Sequence, residues 1–154
     1  MSLSNLKNEV FTIINQIPEC QDTATKKEWQ KTTLFHCGKK DGLYDKSTGT
    51  MIYRANTWTA FIYDWTKYKP PLWLDGGFYS LSADEKSLHF TVNAGDLLIF
   101  SDIPDAVPST LQEFNALRDK YKYNGGIITG QEVYINFRPD GKPWQTNHIE
   151  IIKG

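Results

Sequence analysis

The stretch from Thr50 to Tyr63, TMIYRANTWTAFIY, constrains the fold more than any other part of the chain. It is rich in Thr, Ile, Tyr and Trp and shows no helical period. Residues of this kind suit a pleated backbone. The reading is one long strand, or two joined at a bulge near Asn56. Successive side chains on a strand alternate between faces. Trp58, Ala60 and Ile62 then share one face, with Asp64 next in the row. Thr57, Thr59, Phe61, Tyr63 and Trp65 share the other. Both faces carry rings, so either a bulge re-aims part of the strand or the second face is covered by the N-terminal helix, a loop or another subunit. Pro70-Pro71 ends this ladder, because proline has no amide to donate. Trp73 lies beyond it, on a loop.

The rest of the chain supports a mainly β (α+β) fold: an antiparallel β-barrel or sandwich with an N-terminal helix and one inserted helix. With 154 residues, a single domain spanning 1–154 is expected. Its 14% aromatic content suits a compact core. Leu6, Val10, Ile13, Ile14 and Ile17 recur at helical spacing, and Ser4 and Pro18 flank them as start and stop. This predicts a helix within 1–18, followed by a polar stretch from Cys20 to Lys31 that reads as a loop or a weak helical turn. The β-rich body, 31–154, begins with a strand at Thr32–Cys37. Turns are expected at Gly38–Gly42 and Asp45–Gly49, and a strand at Leu88–Val92. A turn at Asn93–Asp96 leads into Leu97–Phe100, a short apolar run of the kind buried on both faces. Ser101–Pro108 reads as a loop. Ser109 with Gln112 has the spacing of a capping box and opens a helix near 109–122, with Leu111, Phe114, Leu117 and Tyr121 as its stripe. Asn124-Gly125-Gly126 ends it. Two strands, Ile127–Phe137 and Asn147–Ile152, flank a turn at Pro139–Pro143.

The ionisable residues do not form a catalytic signature. His148-Ile149-Glu150 has the H-x-E pattern of zinc deaminases, but no P-C-x-x-C follows it. The pattern is better read as a strand with Ile149 and Ile151 inward and His148 and Glu150 outward. His36 and Cys37 are adjacent and point to opposite faces of a strand, so they do not readily share a metal ion. Cys37 with His89 or His148 could form a nucleophile pair, yet a free cysteine is more often a small core residue. Asp102 and Asp105 flank Pro104 and read as turn-capping groups. Neither glycine-rich phosphate-binding pattern is present. The expectation is a chain without enzymatic activity, metal or cofactor.

Charge and targeting narrow the partners. The net charge is −1, from 10 basic and 7 acidic residues in the first 70 and 7 and 11 in the remainder. A protein that grips nucleic acid needs a dense basic patch, so specific nucleic-acid binding is not expected. No apolar run approaches a membrane span. The opening MSLSNLKNEVFTII lacks the basic-then-apolar order of a secretory signal, and Met1–Leu3 is compatible with an expression-derived leader. Two cysteines, Cys20 and Cys37, suit a reducing compartment.

The order of short patches carries a resemblance. Tyr53-Arg54 and Trp65 come first, then Asn93–Phe100, then Ile103-Pro104 and the helix with Leu117, Arg118, Lys120 and Tyr121. Gly141-Lys142-Pro143, His148 and Lys153-Gly154 follow. Over residues 44–154 this layout resembles small minor structural proteins of tailed phages and prophages of Gram-positive hosts, of the minor capsid or head–tail connector kind. It departs from them at Ile149–Ile152, where that family tends to carry basic and aromatic residues. The resemblance implies a non-enzymatic subunit located in the virion, and in the host cytoplasm during assembly. It would dock in a ring at the neck, against neighbouring connector, capsid or tail subunits, as a homo-oligomer. The candidate interface residues are Tyr68, Trp73, Trp58 and Trp65, with the loops Lys67–Gly77 and Ser101–Pro108 reaching out. The competing reading uses the same rings as a platform on which a glycan stacks.

Overall fold

The computed structural model describes residues 9–17, 28–48, 51–71, 76–144 and 146–153, with the backbone alone at 28, 41–48 and 51–56. Seven strands form one antiparallel sheet: β1 (Glu9–Ile17), β2 (Glu28–Thr48), β3 (Met51–Ile62), β4 (Leu97–Ile99), β5 (Gly125–Ile127), β6 (Gly130–Tyr134) and β7 (His148–Lys153). Their order is β5-β4-β1-β2-β3-β7-β6. The mainly β class is thus as the sequence indicates, but the sheet is not closed into a barrel. Its two edge strands are instead consecutive in the chain, joined by Ile128 and Thr129. The sheet therefore curls, and Trp58 of β3 packs edge-on against Phe100, next after β4, at 4.9 Å.

The first element corrects the sequence reading. Where a helix is expected within 1–18, Glu9–Ile17 is a strand, hydrogen-bonded to β2 on one side and β4 on the other. The described residues begin at Glu9, so Ser4 and Leu6 lie outside them. Phe11, Thr12, Ile13, Ile14 and Asn15 are all fully buried. A central strand covered on both faces has no inside–outside alternation, so its apolar residues match a helical spacing by accident. Its β-branched Thr12, Ile13 and Ile14 favour the extended backbone.

The turn expected at Gly38–Gly42 is also absent. β2 runs straight through it, and Cys37↔Ile62 to Thr48↔Met51 forms an unbroken ladder of twelve pairs with β3. No bulge occurs at Asn56, which pairs in register with Leu43. The irregularity lies in the other ladder. Between Glu9↔Cys37 and Phe11↔Leu34, β1 has one residue and β2 has two, Phe35 and His36. His36 takes a left-handed φ of 56°. This bulge turns both Leu34 and Cys37 to the core, although three residues apart on a regular strand they would face opposite ways.

Two apolar clusters sandwich the sheet. On one face Phe11, Ile13, Leu34, Trp58, Ile62, Leu98, Ile149 and Ile151 pack with Phe90 and Val92. On the other, Ile14, Leu97 and Ile99 meet Phe114 and Leu117 of the helix Leu111–Lys120, and Trp29 stacks on Phe114 at 4.5 Å. The capping box of that helix sits one residue later than the sequence suggests. Thr110 Oγ1 accepts from Glu113 N at 3.1 Å, and Glu113 Oε2 accepts from Ser109 N at 2.8 Å. Gly125-Gly126 does not end the helix but forms β5. A Cβ on Gly125 would stand 2.1 Å from Leu98 O, so this close strand approach requires glycine. Leu88–Val92 is not a regular strand: Phe90 makes a single parallel bridge to Tyr68. Its backbone partners are Lys67 O and Lys69 N. Just before it lies a helical turn, Ala83–Lys86, that the sequence did not signal.

Candidate interaction surface

The sheet's outer face over β3, β7 and β6 is built by register. Cross-strand pairing of Phe61 with Glu150 and of Glu150 with Glu132 places these three in one row. Tyr134↔His148 forms the next row, which Tyr63 extends. His148 lies among rings: Tyr134 stacks on it at 5.0 Å, and Tyr63 and Phe61 approach to 5.7 and 5.8 Å. Both its ring nitrogens face oxygens, Thr146 O at 2.7 Å and Glu150 Oε1 at 3.2 Å. The Tyr134 hydroxyl donates to the Glu132 carboxylate. That bond, with partial desolvation and the charges of Glu132 and Glu150, raises the Tyr134 phenol to about 12. Burial and the Glu150 charge raise Tyr63 as well.

The aromatic band continues into the β6–β7 connection. Asn147, nearly fully buried, closes this hairpin: its Oδ1 accepts from Asn136 N at 3.0 Å and its Nδ2 donates to Asn136 O at 2.8 Å. The turn expected at Pro139–Pro143 forms, with Gly141 at φ 83° and its amide on Arg138 O. The pinned hairpin presents Phe137 at 59% exposure and Trp144 at 51%, beside Tyr134 at 40%. The Arg138 guanidinium lies 5.9 Å over the Trp144 ring. Three large, exposed rings held by one hairpin are the composition of an interface anchor.

The predicted interface residues fare differently. Trp58 is 4% exposed and belongs to the core, so it offers no face to a partner. Its place follows from the row it shares with Ala60 and Ile62, both fully buried. Trp65 is half-buried and supports Phe137 edge-on at 6.2 Å. Tyr68 is half-buried against Phe90 at 5.8 Å, and burial raises its phenol. Trp73 lies outside the described residues, as does part of the loop Lys67–Gly77. The loop Ser101–Pro108 is tied to the body at its middle but leaves Val107 exposed. Ile103 is buried, Lys31 Nζ donates to Ile103 O and Asp105 O, and the Asp105 carboxylate takes Lys120 Nζ at 2.7 Å and the Tyr121 hydroxyl. The sequence reading missed Tyr134, Phe137 and Trp144. The available signal was the pair of large rings flanking the Pro139–Pro143 turn, where a two-residue alternation gives neither a buried place.

The ionisable candidates stand apart from this surface, His148 and Glu150 excepted. Cys37 is fully buried, its thiol donating to Leu34 O and Phe35 O, and burial pushes it up to about 12. It is a core thiol, protonated at neutral pH. Hydrogen bonds from Lys120 and Tyr121 hold Asp105 below the usual carboxylate range, so it anchors the helix end. A cleft of about 380 Å³ between β2 and residues 87–90 is lined by Thr33, Phe35, Asp64, Lys67, Leu88 and His89. There Asp64 accepts from the Thr66 hydroxyl and His89 Nδ1 faces Glu85 O. Among the described residues no three His, Cys, Asp or Glu side chains gather as a metal site, and no helix is long and apolar enough to cross a membrane. Comparison with protein-family models, curated proteins and solved structures returned no match.

Proposed function

We propose that this chain is a non-enzymatic structural subunit of a tailed-phage or prophage virion, standing in a ring at the neck as a head–tail connector or minor capsid protein. The observation that carries the reading is the division of the molecule into a sheet body with an aromatic band and a long two-stranded ribbon. β7 pairs β3 only from Trp58 to Ile62, and β1 pairs β2 only from Glu28 to Cys37. Between Leu43↔Asn56 and Thr48↔Met51 the two strands pair with each other alone among the described strands. Six pairs extend about 20 Å. A ribbon beyond a compact body suits a subunit that is held by its neighbours. A net charge of −1 suits a passage through which DNA moves without sticking.

Two experiments test the reading. Genes for portal, major capsid and tail proteins are expected beside this one. Particles made without it are expected to contain heads and tails that do not join. Intact, infectious particles lacking the protein would refute the proposal. A second reading, a glycan-binding module, draws on the exposure of Trp144 and Phe137 rather than on the buried Trp58. It predicts a saturable shift in tryptophan fluorescence with an oligosaccharide panel, lost in Trp144→Ala.

A further inference from the structure

We infer that the cleft beside β2 is a slot for an extended peptide strand of a partner protein, one that carries an acidic side chain. Five consecutive residues of β2, Lys31 to Phe35, line this cleft. Successive side chains of a strand point to opposite faces, so what five in a row present to one space is their backbone edge. Among the described residues no strand pairs with β2 on that edge. β1 takes the other edge, from Glu28 to Cys37. The ladder with β3 starts only at Cys37↔Ile62, and the last bond on that side runs from Tyr63 N to His36 O at 3.0 Å. The bulge at Phe35–His36 marks where this pairing stops. The helical turn Trp65–Lys67 then leads the chain away. The N–H and C=O groups of Lys31–Phe35 that turn away from β1 therefore face the cleft, an arrangement that invites pairing with another chain.

The opposite wall is already built. Gln30 Nε2 donates to Lys86 O and His89 O, each at 2.9 Å, and so holds residues 86–89 across from β2. Phe90 N donates to Lys67 O and Lys69 N to Phe90 O, each at 3.0 Å, which ties the other two lining segments together. A preformed slot spares an incoming chain the cost of ordering its receptor. Five residues of edge extend about 16 Å, the length of a short strand. A row of amides and carbonyls is complementary to another extended backbone, so the edge selects a peptide over a compact ligand. Leu34, Ile62 and Phe90, all buried, also line the space and suit alternate apolar side chains. The ionised lining is Lys31 and Lys67 against Asp64, while Asp84, Glu85 and Lys86 of the preceding turn stand outside it. The Lys31 ammonium is held by Ile103 O and Asp105 O. Lys67 is then the cation placed to meet an acidic side chain.

Amide hydrogen exchange of the full chain, with and without a synthetic peptide, tests this. The probe is the blocked peptide acetyl-Thr-Val-Glu-Val-Thr-amide. In the free protein, the amides of Lys31–Phe35 that turn away from β1 are expected to exchange fast and their β1-facing neighbours slowly. The probe is expected to slow the fast set saturably. The same peptide N-methylated at every residue cannot donate as a strand and is expected to give no protection. A peptide with Lys in place of Glu is expected to bind about threefold more weakly, the size of an exposed ion pair. Lys67 is exposed, and Lys67→Glu is expected to invert that preference, which a merely structural role for Lys67 would not do. Slow exchange of every amide from Lys31 to Phe35 in the free protein would overturn the slot. So would an absence of protection at the highest soluble peptide concentration, or equal protection by the N-methylated peptide. A preference that Lys67→Glu leaves unchanged would overturn the acidic partner.

Discussion

Replacing Trp58 decides whether the long β3 strand offers its tryptophan or buries it. The ring is 4% exposed, packs edge-on against Phe100, and shares its cluster with Leu98, Ile128 and Ile151. Truncating a buried aromatic to alanine costs about 3–5 kcal/mol, from lost transfer energy and the cavity left behind. The indole nitrogen adds a second handle, because among the described residues no acceptor lies within hydrogen-bonding reach of it. A buried donor without a partner costs about 1–3 kcal/mol. Trp58→Phe removes that donor while keeping most of the ring, so its lost contacts are largely offset and a net change under about 1 kcal/mol follows. Urea denaturation followed by circular dichroism measures both, with m expected unchanged. A cost below about 1 kcal/mol for Trp58→Ala, or equal costs for the two variants, would refute the placement and the reasoning about the orphan nitrogen respectively.

Leu98→Ala removes a fully buried side chain from β4, flanked by Ile13 and Gly126 across the ladders. A loss of about 2–5 kcal/mol is expected in the same assay, and a smaller one from Phe100→Ala, whose ring is only partly buried. Thr110→Ala removes the cap of the helix Leu111–Lys120 and should cost about 1 kcal/mol by urea melt. Asp96 gives a pH signature. Burial raises its carboxyl from 3.8 to about 6, against three hydrogen bonds that favour the anion. The folded state then holds the proton more tightly than the unfolded chain, so stability from this group is greatest below pH about 4 and declines as pH rises to about 6. The stability of the wild type relative to Asp96→Asn should fall by about 2 kcal/mol between pH 4 and 7; a flat difference would exclude a raised carboxyl.

What the sequence discloses depends on whether a segment has one wet face. In β7, Ile149 and Ile151 are fully buried while His148 and Glu150 are only partly so, as alternation indicates. The Leu97–Ile99 run and the helix Leu111–Lys120 are legible for the same reason: one reads as buried on both sides, the other has an apolar stripe in which Phe114 and Leu117 are buried, although Leu111 at its start is exposed and the cap is Thr110. β1 is not legible, because its apolar residues serve two cores at once. The Gly38–Gly42 stretch has the composition of a turn, yet twelve ladder pairs outweigh that local preference. The surface was the hardest to read. Tyr134, Phe137, Trp144 and His148 are spread over fifteen positions, and only the Asn136–Asn147 closure brings them together. In the tryptophan-dense segment, by contrast, Trp58 is core and Trp65 supports Phe137.

The central strand raises a question of register that its apolar residues cannot answer. Phe11 and Ile13 face one core, and Thr12 and Ile14 face the other way. A slip by one residue exchanges these sets, and since both contain large apolar groups the slip carries little hydrophobic penalty. The polar contacts are less forgiving. Thr12 Oγ1 donates to Ser101 O at 2.8 Å. Buried Asn15 donates from Nδ2 to Thr91 O at 2.8 Å and to Asp96 Oδ2 at 2.7 Å, and the Gln16 amide donates to Asp96 Oδ1. Shifting β1 by one position would withdraw these donors from a carboxylate that is 3% exposed, leaving a buried acceptor without its partners. The bulge at Phe35–His36 acts in the same sense from the other side, since its extra residue fits only one alignment of β1 on β2. In this sheet the apolar residues supply the stability, while one buried asparagine, one buried aspartate and one bulge select the alignment. That alignment in turn sets which residues of β2, β3 and β7 reach the outer aromatic face.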